Sequence, residues 1–381
     1  MSEYKKNAQN HDVAIIGNNL SALLLVGYWN QRGAKVAHIG SNDHLAHFYP
    51  NQAENLDQKK QLFTSSSYLV PNTNENQDQL GSLKDLMPDW SVEEHSLQPI
   101  TFEGGHFKDF IGFGARQFSS TEILSGYNSN HFVRANFSAE ELLHYLRNHN
   151  SNSLIEKSEV TQIMVEGGQV VGLKLNDVKV LPVSQVYFCH HPIHLLELLT
   201  DDELGRKNKQ KIAKTKRWSK VELHFTHGLI ICENQNPHFL MGTKDDHEPC
   251  LGHFSQPIEN IQKSSWTYFV SSELVELEED IANIIRYMKK QIKRAYPNAF
   301  EDLVYEKIIV SPDSHGYMEI SAKEFGALTK ARGLYVAHPC MSSNVELIGH
   351  IEVVQRLCHS KLTPHSDLEM EKASVIHDVN E

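Results

Sequence analysis

The 381-residue chain has few cysteines, no long apolar run and no excess of positive charge. Its five cysteines, Cys189, Cys232, Cys250, Cys340 and Cys358, fall at irregular spacing without a C-x-x-C pair. That excludes a zinc ribbon or thioredoxin-like motif and fits a reduced, cytoplasmic interior. The longest apolar stretch, Leu20 to Val26, is far too short to cross a bilayer. The opening residues MSEYKKNAQNH lack the apolar segment of an export signal, so a soluble cytoplasmic protein is expected. A formal net charge of −12 argues against a nucleic-acid surface. The one basic run, Lys207 to Lys220, reads as a solvated helix face or loop.

Histidine, by contrast, is abundant at 23 copies. The densest group is Cys189-His190-His191-Pro192-Ile193-His194, and His224 and His227 follow. A metal site needs ligands on one helix face or across paired strands. The first group straddles a strand end with a proline in it, so surface and turn histidines are the better reading, and no metal is expected.

The most informative segment runs from Asp12 to Gly40, DVAIIGNNLSALLLVGYWNQRGAKVAHIG. Val13 to Ile16 is buried-strand material, and Gly17 stands where the chain turns sharply into a helix. Leu20, Leu23, Leu24 and Gly27 give that helix an apolar, small-residue face. Gly33 ends it, and Lys35 to Ile39 forms a second strand. This is the layout of a dinucleotide-binding βαβ unit. Its three glycine positions read Gly17, Asn19 and Ala22, where the full G-x-G-x-x-G pattern uses glycine for the turn, for approach to a pyrophosphate and for helix packing. Asn and Ala are mild replacements. The acidic residue expected at the end of strand two to bind a ribose is missing, and Gly40-Ser41-Asn42-Asp43 stands there instead. A plain βαβ unit with an empty crevice is the competing reading.

The length exceeds that of a usual single core, so two interleaved or consecutive domains are expected. Residues 42–97 are polar and poor in pattern, with a loop at Pro71 to Asn76 and a short helix at Ser82 to Met87. Ile100 to Phe110 reads as a hairpin with Gly104-Gly105 at its tip. Ser138-Ala-Glu-Glu reads as a capping box opening a helix through Arg147. Three strands follow, Glu159 to Glu166, Val170 to Leu175 and Val186 to Phe188, and Leu195 to Leu199 starts a helix. Val221 to Thr226, Leu229 to Cys232, His238 to Met241 and Trp266 to Val270 read as strands of a second sheet-bearing domain. Ser272 to Ala295 is the strongest helix, with acids first and bases last. Gly333 to Ala337 is a buried strand, Val345 to Leu357 a closing helix, and the tail after Lys361 is polar.

In order and content these elements resemble the flavin-containing amine oxidase superfamily, which includes protoporphyrinogen oxidases and phytoene desaturase-like enzymes. The Asp12 to Gly40 unit, the meander SEVTQIMVEGGQVVGL and the closing GLYVA strand carry the resemblance, which covers nearly the whole chain. It implies an α/β fold: an FAD/NAD(P)-binding Rossmann-like domain with a three-stranded β-meander, and an interleaved α+β substrate domain with a mainly antiparallel sheet. The FAD-binding parts would be residues 1–100, 138–205 and 326–360, the substrate domain 101–137 and 206–325, and 361–381 a tail.

The resemblance also implies a site. Gly17, Asn18, Asn19, Leu20, Ser21 and Ala22 would hold the FAD pyrophosphate, Gly40 or Ser41 would stand near the ribose, and the Val160 backbone would meet the adenine. The closing helix would aim its N-terminus at the flavin, where it would stabilise the charge of the reduced ring. The departures concern the same site. The family's terminal G-D is His338-Pro339 here, and Pro339 neither donates from its backbone nor accepts through a carboxylate. Ser342, Ser343 and Asn344 would lie in the loop before the closing helix, with Asn344 as its cap.

Two readings follow. In the first the chain is an FAD-dependent oxidoreductase that passes a hydride from an organic substrate to flavin N5, with no catalytic residue named by the sequence. In the second it is a non-catalytic protein that keeps the flavoprotein fold and serves as a binding or assembly factor with a protein partner. An NAD-only dehydrogenase is weaker, because loops and β-pieces rather than further βαβ units follow Gly40.

Overall fold

The structure is a computed structural model that describes residues 11–40, 46–48, 67–73, 76, 78–81, 92–116, 118–129, 131–138, 142, 145–146, 148, 153, 158–243, 247–318, 328–342, 344 and 346–359. Ser41, Ser343 and the helix expected at Ser82 to Met87 lie outside these residues.

The first sheet is parallel. Strands β1 (Val13–Ile16) and β2 (Val36–Ile39) are buried along their whole length, as strands covered on both faces must be. β12 (Gln185–Phe188) pairs with the other edge of β1, and β18 (Leu334–Val336) pairs with β12, giving the order β18-β12-β1-β2. Helix α1 (Leu20–Gln31) links β1 to β2 and buries seven consecutive residues, Leu20 to Val26. The closing helix, called α7 below (Glu346–His359), packs against α1.

The meander is β9 (Val160–Glu166), β10 (Gln169–Leu175) and β11 (Lys179–Pro182), ordered β11-β10-β9. Its first turn is Gly167-Gly168, both left-handed. The third strand differs from the sequence expectation: Val186 to Phe188 belongs to the parallel sheet, and Lys179–Pro182 completes the meander. Only Leu181 of that strand is fully buried, so it lacks the apolar run that marks its neighbours.

The largest sheet has eight strands in the order β3-β17-β13-β16-β15-β14-β6-β7. They are β3 (Ala46–Phe48), β6 (Ile100–Glu103), β7 (His106–Asp109), β13 (Lys216–His227), β14 (His238–Leu240), β15 (Cys250–Phe254), β16 (Gln262–Ser271) and β17 (Leu303–Tyr317). All its pairings are antiparallel except β14 with β6. The expected Gly-Gly hairpin is β6-β7, whereas Leu229 to Cys232 forms no strand. A further sheet, β4-β8-β5, is built from β4 (Ser67–Pro71), β5 (Val92–Leu97) and β8 (Phe132–Ser138).

Among the described residues, the helices with defined bounds between α1 and α7 are α2 (Thr121–Ser125), α3 (Leu195–Leu198), α4 (Asp201–Leu204), α5 (Arg206–Ala213) and α6 (Glu278–Ala295). α5 carries Lys207, Lys209 and Lys211 of the basic run, none of them buried, while Lys216, Arg217 and Lys220 lie on β13. α6 begins with Glu278, Glu279 and Asp280 and ends with Lys293 and Arg294, so its charges complement the helix dipole. Its buried face, with Ile281, Met288 and Ile292, joins the core around the fully buried Trp266 of β16. Ser272 to Val275, expected to open this helix, is instead a separate 3-10 turn.

Candidate functional site

In an open α/β sheet, ligands bind beyond the carboxyl ends of the strands, where the chain order reverses. Here β1 continues through α1 to β2 on one side and has β12 on the other, so the crevice lies between the ends of β1 and β12.

Gly17 closes β1 at φ +133°, a conformation that favours glycine, and a Cβ there would come 3.0 Å from the Cys189 Cβ. Its N–H donates to the Ile39 carbonyl at 2.9 Å, and its carbonyl is 2.8 Å from His38 Nε2, which ties the ends of β1 and β2 together. Asn19 caps α1. Its Oδ1 accepts from the Ala22 N–H at 3.1 Å, and its Nδ2 donates to the Cys189 carbonyl at 2.6 Å. The second side-chain bond spans the crevice. The position that most needs to be bare for a pyrophosphate therefore carries a strut from α1 to the end of β12.

Ser21, fully buried, directs both of its donors to one acceptor: N–H to His350 Nδ1 at 3.3 Å and Oγ to the same atom at 2.7 Å. The Leu23 N–H donates to the Asn19 carbonyl at 3.2 Å. Three consecutive amides at the start of α1, those of Ser21, Ala22 and Leu23, are thus paired within the chain. Leu20 is buried, and a Cβ at Gly40 would lie 3.5 Å from the Asn18 side chain, an ordinary contact.

At the far end of the crevice, Pro339 opens a 3-10 turn, Pro339–Met341, capped by His338. Ser342 Oγ donates to the Glu352 carboxylate, Asn344 Nδ2 donates to it at 3.1 Å, and Arg356 stands 3.3 Å from its other oxygen. Two of the loop residues expected to face a flavin, Ser342 and Asn344, are therefore held by a nearly buried carboxylate of α7. Val160, at the start of β9, is buried and pairs with Leu175.

β17 docks directly on this end. The Met318 N–H donates to the Cys340 carbonyl at 3.1 Å, and a Cβ on Gly316 would lie 2.7 Å from His191 Nε2 and 2.8 Å from Cys340 Cβ. His191 and His338 cap 3-10 turns in the same way: Nδ1 accepts from the N–H two residues on, Ile193 at 3.2 Å and Cys340 at 3.1 Å. With Nδ1 accepting, each ring proton sits on Nε2, so neither nitrogen has a lone pair for a metal. Burial pushes His191 down to about 3, partly opposed by Asp313, and holds His338 well below the usual histidine range. Among the described residues no group of three or more His, Cys, Asp or Glu is placed to hold a metal ion. The buried thiols of Cys189 and Cys340 are pushed up by desolvation, so they behave as small apolar groups.

Asp313 joins the two sheet systems, 3.6 Å from His194 Nε2 and 3.4 Å from Arg217. Burial works against its charge, but hydrogen bonds from His194 and Ser272 and the Arg217 guanidinium outweigh it and hold the carboxyl below the ordinary range. A depressed folded value adds stability above the ordinary aspartate pKa, and that stability is lost as pH falls through the folded value. The Asp313→Asn protein should therefore be about 2 kcal/mol less stable than wild type at neutral pH. The gap should narrow in urea melts below about pH 4.

Nothing in the sequence marks His350, Glu352 or His38, and Cys189 stands out there only beside the histidines that follow it. Ser21 and His350 lie 329 residues apart and Asn19 and Cys189 lie 170 apart, so no local pattern joins them.

No sequence-family profile and no curated protein matches the chain. Solved structures do. Putrescine oxidase bound to putrescine aligns at TM-score 0.60 and 12% identity over 92% of this chain and 98% of its own. Cyclohexylamine oxidase from Brevibacterium oxydans aligns at TM-score 0.61 and 10% identity over 94% and 100%. An FAD dependent oxidoreductase from Pseudomonas aeruginosa aligns at TM-score 0.51 and 11% identity over 96% and 92%. At such identities the likeness concerns the fold, and the parallel sheet, the three-stranded meander and the large, mainly antiparallel sheet are its parts. This chain has the FAD-binding fold of the flavin-containing amine oxidases.

Proposed function

We propose that this chain uses the flavoprotein fold without turning over a flavin, as a non-catalytic binding or assembly factor with a protein partner. The observation that supports this is that side chains of the protein itself take the donors of Ser21, Ala22, Ser342 and Asn344, four of the residues expected to face an FAD. Asn19 bridges the crevice and caps Ala22, and His350 takes both donors of Ser21. Glu352 takes Ser342 and Asn344. A pyrophosphate arriving at α1 would have to displace the Asn19 strut and compete with an imidazole nitrogen. At the other end, the buried Glu352 carboxylate would repel the negative charge of a reduced flavin, which a helix N-terminus there is suited to stabilise. The residues present do not fit the cofactor.

The second reading, an FAD-dependent oxidoreductase passing a hydride to flavin N5, is supported by the fold likeness over more than nine-tenths of the chain and by the retained Gly17 turn. The visible absorption spectrum separates the two. The purified protein is expected to be colourless, and to stay so after incubation with FAD and gel filtration. Flavin bands at one per chain would show a working cofactor site, and anaerobic bleaching by amines would then establish turnover.

A further inference from the structure

We propose that two acceptors of this chain, the Asn19 amide oxygen and His350 Nδ1, stand in for the phosphate oxygens of an adenine dinucleotide, so that the crevice is a latent diphosphate site held shut from within. This inference rests on the non-catalytic reading above.

The two groups come from different parts of the chain, yet they do the same chemistry. Each is an acceptor, and each serves a residue in the first turn of α1, Asn19 serving Ala22 and His350 serving Ser21. Helix starts present N–H groups that a phosphate satisfies readily. When no phosphate comes, buried donors need another acceptor, because an unsatisfied buried N–H or O–H is costly. Ser21 shows the substitution most clearly. It is fully buried, it sits in the glycine-motif loop, and a single imidazole nitrogen from the facing helix takes both its N–H and its hydroxyl. Asn19 adds a mechanical element, since its amide nitrogen holds the Cys189 carbonyl at 2.6 Å across the crevice mouth. The fold retains the turn, the buried serine and the small Ala22, and supplies acceptors where a diphosphate would lie.

The consequence is that removing the stand-ins should create affinity that the natural chain lacks. Glycine is the mildest replacement for an asparagine cap, so Asn19→Gly opens the crevice with little cost to α1. His350→Ala returns the Ser21 N–H and O–H to the crevice. Asn19→Asp is the control: it keeps an acceptor on Ala22 and adds a like charge against phosphate.

The test titrates wild type, Asn19→Gly, Asn19→Asp and the Asn19→Gly/His350→Ala double variant with FAD, by quenching of flavin fluorescence, and with ADP, by calorimetry. The double variant is expected to bind both at least about tenfold more tightly than wild type, with Asn19→Gly intermediate and Asn19→Asp no better than wild type. A double variant that melts as cooperatively as wild type yet gains nothing overturns the inference and leaves the non-catalytic reading standing. If the double variant fails to fold, Asn19→Gly alone decides, and no gain there overturns it equally. Stoichiometric FAD binding by wild type overturns both the reading and the inference.

Discussion

Replacing Glu248 with alanine is expected to destabilise the protein by about 4 kcal/mol or more, the largest single-residue effect away from the crevice. One carboxylate oxygen accepts from the Ser119 N–H at 2.6 Å, the Ser119 hydroxyl at 2.8 Å and the Ser120 N–H at 3.2 Å, while the other accepts from the Ser120 hydroxyl. Both Glu248 and Ser120 are buried, and the pair anchors the start of α2 beside Phe118 and Trp218. Truncation leaves four donors without an acceptor in a place water reaches poorly, at about 1–3 kcal/mol each before relaxation. Glu248→Gln should cost less, because the remaining carbonyl oxygen still accepts. Urea melts of both variants measure this, and a loss under about 1 kcal/mol for the alanine variant would mean that the serine donors find other partners.

Gly333→Ala is the second large effect, at about 3 kcal/mol, and it acts on the frame of the crevice. Gly333 lies at φ +84°, where an L side chain is strained. A Cβ there would also drive into the Ser184 carbonyl oxygen, which is backbone and has little room to move. The Gly333 carbonyl accepts from the Val186 N–H at 2.7 Å, so the displacement would pull β18 away from β12. Calorimetric melting checks this. Gly33→Ala is the natural comparison, since Gly33 at φ +74° has nothing within 4 Å of its would-be Cβ and should show the backbone strain alone.

The parts of the fold that were legible in the sequence are those whose signals are local. The βαβ unit is contiguous, and its strands are buried on both faces, so the apolar runs at Val13 and Val36 stand out. The Gly167-Gly168 and Gly104-Gly105 turns announce their hairpins because both residues of each pair need positive φ. β17 was hidden for the opposite reason. Its sequence LVYEKIIVSPDSHGY alternates poorly and contains Pro312, and the pairing register with β13 shifts between Trp218 and Lys220, opposite that proline. β15 was missed because its five residues are all buried and include a glycine, so no period-two pattern is visible. At the site, the sequence exposed the defect at Asn19 but not its role. Its capping bond to Ala22 is local, whereas the strut to Cys189 and the His350 contact with Ser21 exist only once the sheet and α7 are assembled.

Those nonlocal bonds also decide how the site is read. A missing second glycine and a lost terminal acid are consistent with a weakened flavin site. Acceptors placed against the donors that remain point instead to a site closed by the protein itself, with the fold retained for another purpose.

The most direct measurement is amide hydrogen exchange across residues 17–24, read with and without excess FAD. The Ser21 and Ala22 amides are expected to be already protected, with their exchange unchanged by FAD. Slower exchange at these amides on adding FAD would contradict a site closed by the protein itself, because the donors of α1 would then be serving the cofactor.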